Sequence, residues 1–402
     1  MVPKPASIEA PSVLFDLVIH AGRVVCPATG LDGPGAVAII GGRIAAAGPG
    51  VDGLARPARK VLRLPDALLL PGLVDLHAHP ARGESRYGVD PDVHLLPFGT
   101  TTVLAQGEAG ALNLARYLDV VIERSLTRIR LAINLSRRGE ATPGGSCEAR
   151  EDVDGAACAG AVRAAARNGG RAIWGIAVNV SRNTCGRTEP RAVMAEALAA
   201  ANDTGLPLLF GPRRGDDWAL KEQLALLRPG DVVTYCFSDC PEGLLADGRV
   251  RDEVWTARER GIHFDVGHGM GSFSFRVAEP AIAEGFLPDA ISTDRYQRHL
   301  ELSPRHDLPR TLSKLLAAGM TERDAFARVT ARPAAILGLG GEVGTLAPGA
   351  CADLAALAWN PAAPPLRDTS GAERPGGVWE PVLTVRAGAL IRPAPERAGD
   401  PA

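Results

Sequence analysis

Short apolar runs recur along the chain in two rhythms. Near the start, 16–20, 22–25 and 35–40 are separated by turn residues, and Gly41-Gly42 stands between the last run and Arg43-Ile44-Ala45-Ala46-Ala47. A glycine pair between two apolar runs predicts a tight hairpin. Strand-like runs return near the other end, at 344–346, 352–357 and 382–388. Between these ends lie eight apolar runs, at 68–76, 101–105, 129–135, 172–180, 206–210, 232–237, 262–266 and 290–293. Ala/Arg/Glu-rich stretches of helical period separate several of them, among them 156–166, 191–201, 220–226, 251–260 and 277–284. A helical run over 308–337 follows, and 302–310, with two prolines, reads as a loop over the mouth. Strands that alternate with helices pair in parallel through crossovers, and eight such units close a ring. The expected fold is therefore α/β: a (β/α)8 TIM-like barrel over 71–340, a small β-sandwich domain built from both termini (13–70 plus 341–392), and a loose tail over 393–402.

Composition narrows the function classes. The chain of 402 residues is 46% apolar and 22% charged, enough to bury a large core, and its 46 Gly and 32 Pro suit many tight turns. A net charge of −2 favours neither nucleic acid nor an anionic membrane as a partner. The seven cysteines are odd in number and scattered, a pattern of reduced thiols. Residues 1–15 lack the basic start and apolar run of a signal peptide, and no stretch of about 20 apolar residues could span a bilayer. A cytoplasmic protein acting on a small molecule is expected, with homo-oligomers allowed and no nucleic acid or membrane partner.

Candidate chemistry begins in Pro71-Gly72-Leu73-Val74-Asp75-Leu76-His77-Ala78-His79-Pro80. Residues two apart in a strand share a face, so His77 and His79 can meet one metal ion. Many H-x-H pairs are merely structural, but this one ends the strand that opens the βα series, where barrel enzymes place their chemistry. Asp294 ends the eighth run, beside the first once the ring closes; it could bind metal, take a proton from water, or simply cap a helix. Glu108 follows the second run and is a further metal candidate or a loop carboxylate. His268, among glycines after the seventh run, could line the pocket or only shape a turn, and Tyr235 after the sixth could donate to an oxyanion or be a core tyrosine. Arg213, Arg214 and Arg295 follow the fifth and eighth runs; their guanidinium forks suit a substrate carboxylate, though solvated loop arginines explain them as well. Cys236 and Cys240 read as structural thiols, and His94, His263, His299 and His306 as surface or structural.

The chain resembles the amidohydrolase superfamily, most strongly its dihydroorotase-like and D-aminoacylase-like branch with the amidohydrolase/deacetylase members. The resemblance spans nearly the whole chain and rests on 71–79, Tyr87-Gly88-Val89-Asp90-Pro91, 98–103, 227–234, Phe264-Asp265-Val266-Gly267-His268-Gly269, Ser292-Thr293-Asp294 and 344–354. It implies a metal-bearing barrel with a β-sandwich from both ends, and hydrolysis of an amide, cyclic amide or related C–N bond by a metal-activated water. Members of this branch carry a carboxylated Lys after strand 4 and a His after each of strands 5 and 6. The matching places read Gly175-Ile176-Ala177, Leu209-Phe210-Gly211 and Val233-Thr234-Tyr235. The resemblance therefore implies a reduced site: one Zn2+, or Mn2+, on His77, His79 and Asp294, with Glu108 as an added ligand and no carboxylated lysine. Asp294 would be the proton carrier, with Tyr235 or His268 at the oxyanion. The alternatives are a divergent protein that keeps the barrel only for binding or assembly, and a changed reaction such as a lyase or cyclase.

Overall fold

The computed structural model describes residues 14–54, 56–141, 143–167 and 171–393; residues 1–13 and the tail expected beyond 393 lie outside them. Strands from the two ends of the chain combine into one seven-stranded sheet, in the order Ala389–Ile391, Val378–Arg386, Leu354–Asn360, Val61–Pro71, Leu17–Cys26, Leu31–Ile40, Arg43–Gly48. The seam between the ends is the antiparallel pairing of Leu354–Asn360 with Val61–Pro71. Alternation along Leu17–Cys26 sends Leu17 and Ile19 into a cluster with Ile39, Leu69 and Leu354, while Val18 joins Phe15, Ala36 and Ala38 on the other face. The Gly41-Gly42 hairpin forms between Ile40 and Arg43, with φ of 56° and 71°, the left-handed pair that a two-residue turn requires.

Seven parallel strands follow in chain order as neighbours: Leu73–Ala78, Thr100–Gln106, Arg128–Asn134, Ile173–Asn179, Leu208–Gly211, Val232–Val233 and His263–Phe264. Residues 290–295 supply the eighth, with Ala290 bridged to Asp265 and Arg295 bridged to Ala78, both in parallel, which closes the ring. Val74, Leu76, Leu104, Ala132, Leu209 and Val232 fill its interior, with Trp174, Ala334 and Leu337 in the same cluster. Helices Gly155–Arg167, Pro190–Thr204, Asp252–Glu259 and Phe275–Ala283 lie between successive strands, and their apolar faces enter the main core. Full burial of each large apolar side chain in these layers contributes about 1.5–3 kcal/mol. Among the described residues no helix is long and apolar enough to cross a membrane.

Several elements differ from the sequence expectation, among them 344–346, which forms no strand, and the runs 16–20 and 22–25, which form the single strand Leu17–Cys26. The run over 68–76 is two strands, Val61–Pro71 in the terminal sheet and Leu73–Ala78 in the barrel, because the chain changes sheets at Gly72. There the Gly72 amide donates to the Asp353 carbonyl at 2.7 Å, and a Cβ on Gly72 would run into the Thr101 side chain. The helical run over 308–337 divides into Leu308–Ala317, Glu322–Ala327 and Ala331–Ile336. Gly319 at φ 101° ends the first, and the Thr321 hydroxyl caps the second by accepting from the Asp324 amide at 3.1 Å. The sixth barrel run shortens to Val232–Val233, since Tyr235 turns to φ 66° and cannot continue a strand.

Gly72→Ala should destabilise the chain by about 1–3 kcal/mol, as overpacking does. Gly50→Ala, where a Cβ meets nothing within 4 Å, should stay within about 0.5 kcal/mol of the parent. Denaturant unfolding of both checks the contrast.

Candidate metal centre

The seam between the first and eighth barrel strands builds the site. The Asp294 amide donates to the His77 carbonyl at 2.7 Å and the His79 amide to the Arg295 carbonyl at 3.0 Å, so the two strand ends stay in register. Asp75 reinforces that register from within, accepting from the Thr293 hydroxyl at 2.6 Å, the Thr293 amide at 3.0 Å and the His77 amide at 3.2 Å. Strand alternation then turns His77 and His79 to the same side as Asp294. The Asp294 Oδ1 lies 3.0 Å from His79 Nε2 and 3.4 Å from His77 Nε2. Asp294 itself sits at φ 48°, a strained value for a residue with a side chain. Gly269, at φ 50°, makes room for it, because a Cβ there would stand 2.5 Å from Asp294 Oδ2.

Donor accounting orients the first imidazole. Asp265 Oδ2 accepts from the Ser292 hydroxyl at 2.7 Å and from the Thr234 hydroxyl at 2.9 Å. With its own proton given to Asp265, Thr234 Oγ1 can only accept from His77 Nδ1, 2.8 Å away. His77 Nδ1 therefore carries a proton, and Nε2 is the nitrogen that faces the centre, where a bound cation would take the place of any proton on it, the orientation a metal-ligating histidine needs.

The electrostatics describe a site that attracts cations. Burial alone would lower the His77 pKa, but Asp294 and Asp265 carry it up to about 9. His79 is raised well above its usual value against the same burial, by Glu140, Glu108 and Asp294. Asp294, despite burial, is held far below the ordinary carboxylate range by the two histidines. Two imidazoles and a carboxylate within 4.8 Å of one another are a donor set that suits zinc or manganese, and three protein ligands leave a position open for water or substrate. The residues fit such an ion.

Glu108 stands next to the same histidine, with Oε1 2.7 Å from His79 Nδ1 and the side chain fully buried. Burial raises its pKa while His79 opposes the rise. A residue not foreseen from the sequence joins it: Glu140, from the loop after the third strand, lies 3.0 Å from the same nitrogen. The loops interlock here, the Glu140 amide donating to the Glu108 carbonyl at 3.2 Å. Gly139 at φ 61° permits the approach, since a Cβ would collide with Glu108's backbone. A check of every carboxylate just beyond a strand end would have marked Glu140; the Asp265–Thr234–His77 relay has no such signal, being spread over three strands.

The remaining candidates fall in different places. Tyr235 is at the centre, its hydroxyl 3.4 Å from His77 Nε2. Arg214 lies over the Tyr235 ring at 5.1 Å and donates to the hydroxyls of Ser238 and Ser272 at 2.9 and 3.0 Å. Among the described residues no carboxylate pairs with it. Arg213 and Arg295 are not brought to that position: Arg213 is buried and forks onto Asp217, and Arg295 is buried and bonded to the His306 carbonyl. Both guanidiniums are occupied by loop groups that the sequence could not place beside them. His268 is buried and stacked on Phe273, its Nδ1 on the Gly269 carbonyl and its Nε2 on Lys314 Nζ, each at 2.8 Å. With both ring nitrogens engaged, it has no proton to offer an oxyanion. His299 and His306 are likewise buried, stacked 4.3 Å apart. Cys236 is buried, and burial raises its thiol pKa well above the usual value.

A closed parallel barrel here carries a histidine pair on its first strand and an aspartate on its eighth, an enzyme-like scaffold with a candidate metal site. Comparison with known proteins narrows the class. The chain is 30% identical over 363 residues to a deacetylase from Enterococcus faecalis, covering 90% of this chain and 94% of the relative. In structure it is similar to an adenine deaminase (28% identity, TM-score 0.83, 94% of this chain and all of the other) and to a dihydroorotase (28% identity, TM-score 0.79, 94% and 98%). No protein-family model matches the chain. The chain belongs to the amidohydrolase superfamily, and with it to the hydrolases of C–N bonds outside peptides.

Two outcomes follow from the geometry. Thr234→Val breaks the relay that sets the His77 tautomer, and metal affinity measured by equilibrium dialysis should fall about 10–100-fold. Lys314, buried against His268, is lowered by that burial from 10.5 to about 7. Between those values the unfolded chain binds the proton that the folded one has released, so stability rises with pH across that window. Thermal melts of Lys314→Met should lack that rise, the variant gaining most on the parent at or below pH 7.

Proposed function

We propose that this chain is a metal-dependent amidohydrolase that removes an acyl group from the nitrogen of a small acidic molecule. The observation that carries the reading is the convergence of His77 Nε2, His79 Nε2 and Asp294 Oδ1 at the open end of the barrel, with the His77 ring oriented by the Asp265–Thr234 relay. A divalent cation held there, zinc or manganese, would supply Lewis acidity toward the scissile carbonyl and lower the pKa of the attacking water.

The chain's own groups account for the other parts of the reaction. Asp294, kept ionised by its two histidines, takes the proton from the attacking water and returns it to the leaving nitrogen. The Tyr235 hydroxyl, held protonated by burial, donates to the oxygen that gains charge. Arg214, whose charge no carboxylate among the described residues offsets, binds the acid group of the substrate at the neighbouring position. Support for acyl removal also comes from the name of the Enterococcus faecalis relative, a deacetylase. We place the reaction in the cytoplasm, where the seven free cysteines stay reduced, with a small molecule as the partner.

A panel of N-acetylated and N-carbamoylated small acids tests the activity, scored by release of the free amine. His77→Asn with His79→Asn together should abolish both bound metal and turnover; elemental analysis showing unchanged metal in that variant would overturn the assignment. Tyr235→Phe should keep its metal and lose about 10²–10³ in kcat with little change in KM.

A further inference from the structure

We propose that His79, Glu108 and Glu140 form a second divalent-cation site, on the far edge of the His79 ring from the first. The inference rests on the reading above in one respect: His79 serves both positions, Nε2 toward Asp294 and Nδ1 toward the two glutamates.

Unmet bonding capacity is concentrated at this spot. His79 Nδ1, both carboxylate oxygens of Glu108 and Oε2 of Glu140 are all buried without a hydrogen-bond partner. Glu108 is completely enclosed and the Glu140 side chain is only 14% exposed. Leaving buried carboxylate oxygens without a hydrogen bond is among the costly arrangements in a protein interior. Asp75, equally enclosed, shows how the same fold satisfies a carboxylate when nothing else is to bind, with three donors on its two oxygens. Glu108 receives none on either oxygen.

The geometry distinguishes an ion from a shared proton. The two glutamate oxygens stand 2.7 and 3.0 Å from Nδ1, yet neither makes a hydrogen bond with it; they flank the nitrogen's axis instead of lying along it. A proton on Nδ1 would need an oxygen on that axis. Ligand atoms about 2.0–2.2 Å from a common ion stand roughly 3 Å from one another around it, off each other's bonding axes. Among the described residues, the ion pairs of both glutamates are with His79, so no lysine or arginine supplies the missing positive charge. One imidazole nitrogen and two carboxylates suit manganese or zinc better than magnesium or calcium, which prefer oxygen alone. An imidazole that holds an ion at each nitrogen gives up its ring proton, which also relieves the contest between the two glutamates for it.

The experiment is manganese reconstitution of the full chain after chelator treatment, read by metal content and by electron paramagnetic resonance. The expected result is two manganese ions per chain with a spin-coupled spectrum, and one uncoupled ion in Glu108→Gln with Glu140→Gln. That variant, relieved of two buried charges, should melt higher than the parent when both are metal-free and gain less on adding manganese. If the double variant does not fold, Glu140→Gln alone, at the partly exposed position, should weaken the second equivalent about tenfold or more. A single equivalent in the parent, lost in His77→Asn, would overturn the second site and leave the proposed function standing. Two equivalents persisting undiminished in the glutamate variants would also overturn it, and no bound metal at all would sink both readings.

Discussion

The meeting of the first and eighth strands is the constraint on which the rest of this protein depends. No continuous ladder joins them. The ring is closed by single bridges, by paired amides crossing between His77, Asp294, His79 and Arg295, and by Asp75 reaching across to Thr293. The same few bonds that complete the barrel also bring two imidazoles and a carboxylate to one point. Closure and chemistry are thus one event: an altered register at this seam would move Asp294 away from both histidines at once. A buried Asp75 is tolerated there because its oxygens are fully engaged, although burial still lifts its pKa to about 7.

Around the seam the backbone accepts strain that an ordinary loop would avoid. Asp294 and Tyr235 both adopt positive φ at strand ends, each turning its side chain inward over the barrel. Such conformations cost about 1–3 kcal/mol each and persist where the surroundings leave no alternative. Gly267 and Gly269, also at positive φ, pack directly against Thr234, Tyr235 and Asp294, so these two glycines serve close approach to the site more than flexibility. His268, lying between them, faces the other way and helps anchor the loop to Lys314 and the Phe273 ring.

The positions where the resemblance implied further ligands make a consistent pattern. Ala177, Gly211 and Tyr235 stand where the resemblance implied a modified lysine and two histidines, which removes donors from one side of the barrel. Carboxylates gather on the other side, at Glu108 and Glu140, beside strands two and three. The negative charge thus lies toward His79, while the other side holds a phenol and an arginine that no carboxylate pairs with among the described residues. In the roles proposed for them, an oxyanion donor and an anion anchor opposite a cation-holding face suit hydrolysis of an acidic amide.

Local pattern alone determined the alternation of strands and helices, the hairpin at Gly41-Gly42 and the shared facing of His77 and His79, because each depends on residues near in sequence and on fixed backbone periods. Strand order around a ring also makes Asp294 a neighbour of that pair. Only the tertiary structure decided what each side chain touches. From sequence, Arg213 and Arg295 could face a substrate or be solvated loop arginines; the structure sets Arg213 on Asp217 and Arg295 on the His306 carbonyl. Glu108 acquired its importance from Glu140, a loop residue 32 positions further on that was invisible as a partner in the linear chain. The tautomer of His77 is set by Thr234, Asp265 and Ser292, which come from three different strands. Periodicity fixes which way a residue faces; the identity of its partner depends on long-range packing, which no local pattern encodes.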